Sequence, residues 1–417
     1  MVSHGMAVLS GRARSEALAA VEAVARDIAL RLEEPRPANL IQGYLGLALF
    51  FDEVSRHAGG TYDEPMTRCL LRAMHLLARR GQHSGLHVGF AGLGWTALHL
   101  AGQHAHLDVE ELCTEVDEKL EATLDGAGPH ACELREGLPG LGLYALKRLP
   151  HPSGRRLLER VVDRLEETAE TVGPETLTWA LPPSFWKLHG PEATFPRGLY
   201  TVGVAHGVPA ALAVLAAAHR LGIARERTER LLHGGFSWLR HLVAGQRPLA
   251  FPHFLHGEER FADERFAWCV GNPGVSAVSW WAAHVWGDAG WQAQTLTWAE
   301  DVAREALHRA PSNNANLCCG TSGTALLLLR LFHATRRPVF EEASVRWWEH
   351  TLALRRPGEG CGGFSFESDP TRPEIHLQFG SAGIALALLA AASGRPSGWD
   401  AAFLFSLPLP ATGPQAT

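Results

Sequence analysis

Seven copies of one short glycine-marked phrase constrain what this chain of 417 residues can fold into. They read GYLG from Gly43, GFAG from Gly89, GLPG from Gly137, GVPA from Gly207, GNPG from Gly271, GTSG from Gly320 and GSAG from Gly380, the fourth keeping only its first glycine. Successive copies begin 46, 48, 70, 64, 49 and 60 residues apart. A phrase recurring at about 40–50 residues marks a repeat architecture.

What flanks the phrase defines the unit. Each copy is followed by a nearly continuous apolar run rich in Leu and Ala, such as LGWTALHLAG at 93–102, ALAVLAAAHRLG at 211–222, TALLLLRLFHA at 324–334 and IALALLAAASG at 384–394. Leu and Ala favour helix, and a helix apolar on all sides is buried on all sides. Between copies lie amphipathic stretches opening at Glu16, Gly154, Trp291 and Phe340, with apolar residues three and four apart and charges between them. The unit is therefore an amphipathic helix, a glycine turn and a buried helix. An open solenoid would leave its inner helices facing a polar groove. All-round apolar inner helices favour closure into an all-α ring, an α/α toroid of seven inner and seven outer helices with Gly-x-x-Gly turns. Glycine at each inner-helix start permits close backbone approach and positive φ. Seven helix N-termini, each with partial positive charge and free N–H groups, would then crowd one end of the ring. That end is where developing negative charge is expected to be handled.

Composition narrows the function classes. With 46% hydrophobic and 20% charged residues the chain reads as globular. A net charge of -6 gives no basic stripe for nucleic acid. The opening MVSHGMAVLSGRARSEALAA lacks signal-peptide patterning, and the apolar runs are too short and too broken by Gly for an integral membrane segment. Seven cysteines without the spacing of a disulfide framework indicate a reduced, cytoplasmic protein. Residues 1–394 are expected to form a single toroid domain. Two Pro-, Gly- and aromatic-rich insertions, at 173–200 and 245–266, are candidate walls over the site, and 395–417 is a Pro-rich tail that straps the fold and ends in disorder.

The cysteines sort by position. Cys269 lies two residues before the glycine of the fifth phrase, and Cys318 and Cys319 immediately precede that of the sixth. Adjacent cysteines are poorly placed to bridge each other. In a ring the three thiols would converge. Three thiolates suit zinc and leave a fourth tetrahedral position open, the pattern of a catalytic site. The competing reading is three small core residues beside glycine turns. Cys69, Cys113, Cys132 and Cys361 have no such context. Trp280, Trp281, Trp347 and Trp348 read as packing.

AWCVGNPG, NLCCGTSG, TVGVAHGVPA and the seven phrases together resemble the lanthionine synthetase C-like family, the lanthipeptide cyclases, from about Gln42 to Leu389. The resemblance implies an α/α toroid of seven inner and seven outer helices. It also implies ring closure in which a peptide cysteine thiol adds, Michael-fashion, to a dehydroalanine or dehydrobutyrine of the same peptide, giving lanthionine or methyllanthionine. Carried over, the Zn2+ ligands fall on Cys269, Cys318 and Cys319. The commoner family pattern is Cys-His-Gly where this chain has Cys-Cys-Gly, so the ligand set becomes all-thiolate. Such a set should lower a substrate thiol's pKa less while leaving the sulfur more nucleophilic, giving faster and less selective addition.

His206, directly before the glycine of the fourth phrase, matches the family's acid/base histidine; attack at a β-carbon yields an enolate that needs a proton at the α-carbon. By position alone it is one histidine among 22. Arg265, four residues before Cys269, matches a family arginine that could steady the enolate oxygen; a surface salt bridge is the plain alternative. Glu133, where the family tends to carry Asp, could orient Arg265 or His206. Val270 stands where the family often has Tyr, so any proton role of that hydroxyl is absent or relocated.

The implied partners are a dehydrated precursor peptide with its leader, a separate dehydratase (this chain shows no such domain) and a membrane-bound transporter. The implied location is cytoplasmic, or peripheral at the inner membrane through a biosynthetic complex. Three other readings stand beside this one: addition of glutathione to dehydroamino acids in damaged proteins, a scaffold with a closed four-ligand structural zinc, and a helical-toroid sugar hydrolase. The last needs paired carboxylates, and near the phrases only Glu133 and Glu136 are found, neither with a clear partner.

Overall fold

The computed structural model describes residues 6–407 apart from 80–82, 127–129, 184, 186–197, 247, 263–264, 366–373 and 396. Much of the insertion at 173–200 and the end of the tail, 408–417, therefore lie outside the described residues. Among the described residues, fourteen helices alternate strictly between two kinds. The inner kind begins one residue after the first glycine of a phrase: α2 (Tyr44–His57), α4 (Phe90–Ala101), α6 (Leu138–Arg148), α8 (Val208–Arg220), α10 (Asn272–Trp286), α12 (Thr321–Thr335) and α14 (Ser381–Ser393). The outer kind comprises α1 (Gly11–Ala29), α3 (Asp63–Arg79), α5 (Glu110–Asp125), α7 (Pro152–Glu167), α9 (Arg225–Leu242), α11 (Ala289–His308) and α13 (Pro338–Ala353).

Burial follows the sequence pattern. In α14 every residue from Ser381 to Ala392 is buried, whereas α7 buries Leu157, Leu158, Val161, Val162 and Leu165 along one face and leaves its charges outside. Trp347 and Trp348 of α13 are core residues, and Trp347 Nε1 donates to the Ala306 carbonyl at 3.0 Å. No helix among the described residues is long and apolar enough to cross a membrane.

The chain forms two compact units. One comprises Met1–Gln82 with Glu300–Trp399, the other His83–Ala299 with Asp400–Thr417. In the first, α12 packs on α14 and α14 on α2, so the last inner helix lies against the first. In the second, α4, α6, α8 and α10 pack successively, each on the next. Close approach makes this possible: a Cβ on Gly142 of α6 would stand 2.5 Å from Val214 Cγ1 of α8.

The glycine phrase works mainly by proximity. The segment before each phrase folds back over the helix start, so that a Cβ on Gly89 would lie 1.8 Å from the His83 carbonyl oxygen, and one on Gly323 1.9 Å from that of Leu317. Among the seven first glycines only Gly271 has positive φ, +100°; the other six are extended. The positive φ that glycine permits at each start is therefore used at one of them. The same fold-back takes up the helix N–H groups: Tyr44, Phe90, Leu138, Thr321 and Ser381 donate to Pro37, His83, Ala131, Asn314 and Glu374 carbonyls at 2.8–3.0 Å. The free donors expected at bare helix ends are largely satisfied internally. What these ends present is the side chains of the two residues before each glycine.

The two insertions contribute a four-stranded antiparallel sheet in the order β3 (Ala180–Leu181), β4 (Leu199–Thr201), β5 (Phe254–His256), β6 (Glu259–Phe261), beside a hairpin of β1 (Glu170–Gly173) and β2 (Thr176–Thr178). Phe254 and Phe261 stack across β5 and β6 at 4.5 Å. β4 leads straight into the fourth phrase, and Val202 N donates to the His253 carbonyl at 3.1 Å. The start of the tail is core: Phe403 and Phe405 are fully buried and Leu404 nearly so.

Candidate active site

The residue two before each glycine occupies an equivalent place in every hairpin, and backbone hydrogen bonds tie these places together within each unit. In the second unit, His87 N donates to the Arg135 carbonyl (2.9 Å), Leu134 N to Ala205 (3.0 Å) and Ala205 N to Cys269 (3.2 Å). In the first, Cys318 N donates to Gln378 (3.1 Å) and Gln378 N to Ile41 (3.0 Å). The chemistry-bearing residues sit on this girdle or one residue beyond it.

In the second unit the girdle brings together two of the sequence-selected residues. His206 Nδ1 lies 3.1 Å from Glu133 Oε2. Glu133 is fully buried, while 28% of the His206 side chain is exposed. The carboxylate is held from behind: Oε2 also accepts from Arg135 N at 3.0 Å, and Oε1 accepts from Glu136 N. Phe185 packs its ring edge-on to His206 at 5.8 Å. Of the two partners considered for Glu133, His206 is within hydrogen-bond distance. The one-methylene extension of Glu133 over Asp is absorbed because both oxygens are fastened to the turn of its own phrase.

Cys269 is joined to this pair through the bond from Ala205, the residue before His206, and is 7% exposed. Gly203 faces the same strand so closely that a Cβ there would lie 2.4 Å from the Cys269 carbonyl oxygen and 2.7 Å from Val270 Cγ1. Arg265 is exposed at the start of this turn, with Nη2 3.5 Å from His253 Nδ1. Below the girdle, His87 Nε2 donates to the Ala402 carbonyl at 2.8 Å and Trp268 Nε1 to that of Phe403 at 2.7 Å, fastening the tail.

In the first unit, Cys318 is buried and Cys319 half-buried. Asn316 Oδ1 accepts the Cys319 N–H at 2.9 Å, which fixes the turn. Gln378 Nε2 points at Cys318 Sγ from 3.3 Å. In the second unit, His83 pairs with Glu136 at 3.1 Å, an ion pair that holds the imidazole above its usual pKa.

The chain matches the family described as "Lanthionine synthetase C-like protein" over residues 34–404. The chain belongs to that family. Among solved structures, a nisin cyclase aligns at 17% identity over 92% of this chain and 96% of that chain, with a TM-score of 0.74. An unsaturated glucuronyl hydrolase from Bacillus sp. GL1 aligns at 14% identity over 84% of this chain and 95% of that chain, with a TM-score of 0.48. A search of curated protein sequences gave no match. The nisin cyclase likeness shows the fold. This lanthionine synthetase C-like chain is an α/α toroid of alternating inner and outer helices, the class expected from its sevenfold repeat.

Whether its residues suit zinc can be asked of the donors themselves. Sulfur is a donor that zinc takes readily. In the first unit, one of two consecutive sulfurs is approached by a side-chain N–H, a contact that stabilises a thiolate more than a neutral thiol. Two consecutive sulfurs at the sixth phrase, one of them beside a side-chain N–H, suit a soft metal. The four other cysteines outside the phrases are buried singly in the core, and burial pushes the Cys69 and Cys361 thiols up to about 12 and Cys113 to about 11, and raises Cys132 as well.

Two residues escaped the sequence reading, Gln378 and the role of His87. A signal was present. Both stand two residues before a phrase glycine, the register of Cys269 and Cys318.

Proposed function

We propose that this protein is a zinc-dependent lanthipeptide cyclase of the Cys-Cys-Gly type, closing thioether rings in a precursor peptide that arrives already dehydrated and with its leader. The observation that carries the reading is the His206–Glu133 pair, a part-exposed imidazole backed by a fully enclosed carboxylate. Family membership supplies the reaction class.

In the proposed reaction a peptide cysteine loses its thiol proton and its sulfur bonds to the β-carbon of a dehydroalanine or dehydrobutyrine. The alkene electron pair moves onto the adjacent carbonyl as an enolate, which returns to a carbonyl as the α-carbon gains a proton. One proton leaves sulfur and one arrives at carbon, so no co-reactant is consumed. Glu133 accepts at His206 Nδ1 and fixes the orientation of the ring. Nε2, on the far side of the ring, is assigned to deliver the proton to the α-carbon. Arg265 is assigned to the enolate oxygen. Cys269, Cys318 and Cys319 are assigned as the zinc ligands. Zinc, when bound, supplies a Lewis acid that keeps the attacking sulfur deprotonated at neutral pH. Dehydration falls to a separate dehydratase, and export of the product to a transporter, with the reaction itself in the reducing cytoplasm.

Ring closure leaves peptide mass unchanged, so the test counts thiols. A dehydrated precursor is incubated with the protein and then alkylated. Peptide thiols that disappear with wild type and persist with His206→Asn support the reading. Thiols that remain alkylatable with zinc-loaded wild type would sink it.

A further inference from the structure

Gln378 stands two residues before the glycine of the seventh phrase and is 2% exposed. Its backbone is tied on both sides of the girdle, accepting from Cys318 N and donating to the Ile41 carbonyl. Those bonds would hold the position whatever side chain it carried. At the equivalent place in the first phrase the residue is Ile41, apolar and fully buried. An amide is therefore not required by the fold at this register, and here it brings a cost. Among the described residues, Gln378 Oε1 is buried without a hydrogen-bond partner, and an unsatisfied buried acceptor is destabilising. What the amide gains is the approach of Nε2 to Cys318 Sγ at 3.3 Å. The reverse amide orientation would set the carbonyl oxygen against the sulfur instead.

We propose that Gln378 is a positioning residue for Cys318: its Nε2–H is donated to the Cys318 thiolate, drawing charge from that sulfur and aiming it at zinc. This rests on the zinc reading above. An all-thiolate set carries one more negative charge than a set with two thiolates and an imidazole. An N–H on one sulfur offsets part of that excess without removing a ligand. Outer contacts of this kind are typically worth about 10- to 100-fold in metal affinity.

The test uses the full chain with Gln378→Leu, which replaces the amide by an apolar side chain of similar size and removes the N–H, and Gln378→Met as a second, unbranched variant should the first not fold. Zn2+ affinity is measured by competition with a chromophoric chelator. Co2+ is then used as a spectroscopic probe. The expected result is a roughly tenfold loss of Zn2+ affinity, together with a shift of the thiolate-to-cobalt charge-transfer bands to lower energy, because the sulfur electrons are no longer held by the N–H. An affinity within about twofold of wild type, or a loss of affinity with unmoved bands, would overturn the assignment. Wild-type protein that takes up neither metal would overturn the zinc reading itself, and the inference with it.

Discussion

His206 Nδ1 and Glu133 Oε2 stand 3.1 Å apart across the turns of the third and fourth phrases, and no part of Glu133 is open to solvent. A carboxylate enclosed in this way is kept by its partners, here one imidazole and two backbone N–H groups. Glu133→Gln keeps the shape and removes the charge. Its cyclisation kcat is expected to fall by about 10²-fold, within the range for acid–base groups, with KM little changed. The new amide must also turn its NH2 toward a donor, which costs roughly 1–3 kcal/mol of stability. Kinetics and urea unfolding on the same preparation separate the two. A variant destabilised but fully active would remove His206 from proton transfer.

Metal content is the most direct check on the assigned ligands. Protein purified under reducing conditions without added metal is expected to hold about one zinc per chain, the stoichiometry of a single three-thiolate site. Cys269→Ala, Cys318→Ala and Cys319→Ala should each lose it. Cys69→Ala and Cys361→Ala should retain it, because burial keeps those thiols protonated. Cys319→His, which restores the commoner family pattern, is expected to cyclise more slowly. An unchanged or faster rate would remove the argument that a third thiolate makes the sulfur more nucleophilic.

Gly203 has no room for a side chain. A Cβ there would sit 2.4 Å from the Cys269 carbonyl oxygen, which is backbone and cannot turn aside. Gly203→Ala must push apart the segment carrying Ala205 and His206 from the one carrying Cys269. The expected cost is about 1–3 kcal/mol, that of overpacking, accompanied by weaker zinc retention. Zinc content and thermal unfolding measured together check this. A stable variant that keeps its metal would show that the spacing of these strands does not matter to the site.

The sequence makes the helical part of this fold legible because its period and its punctuation agree: apolar runs such as 384–394 begin where a glycine phrase ends, and α14 is buried along almost its whole length. It is less informative about why glycine is there. Left-handed backbone is needed only at Gly271 among the seven first glycines, and elsewhere the requirement is a carbonyl six residues back, a contact no local propensity reveals. Strands β3 to β6 are two or three residues long, and β4 pairs with β5 across some 50 residues of chain, so their Pro- and Gly-rich surroundings read as loop. Of the candidate site residues, the three cysteines stand out by residue type and spacing, whereas His206 and Glu133 are singled out by the family resemblance. Gln378 does not, because nothing about a glutamine suggests a sulfur partner until the register of the phrases is laid over the girdle.

His87 makes the last prediction, since it occupies the girdle in a form that acid should undo. Its ring is fully buried beside Phe403 at 4.7 Å, Nε2 donates to the Ala402 carbonyl, and Nδ1 has no partner among the described residues. Burial lowers its pKa to about 3, and the positive charges of Arg135 and of protonated His206 act in the same direction, against the Ala402 bond. The unfolded chain titrates this group near its ordinary value of about 6.5. Because the folded pKa lies below the unfolded one, its contribution is complete above about pH 6.5 and is lost as pH falls toward 3, at about 1.4 kcal/mol per pH unit. His87→Gln keeps a donor for Ala402 and does not titrate. Relative to this variant, wild type should lose stability steadily between pH 6 and pH 4 while the two differ little in slope between pH 7 and pH 8, as read from thermal unfolding across that range. Parallel curves throughout would mean that His87 titrates in the folded protein as it does in the unfolded chain, and that burial does not hold its imidazole neutral.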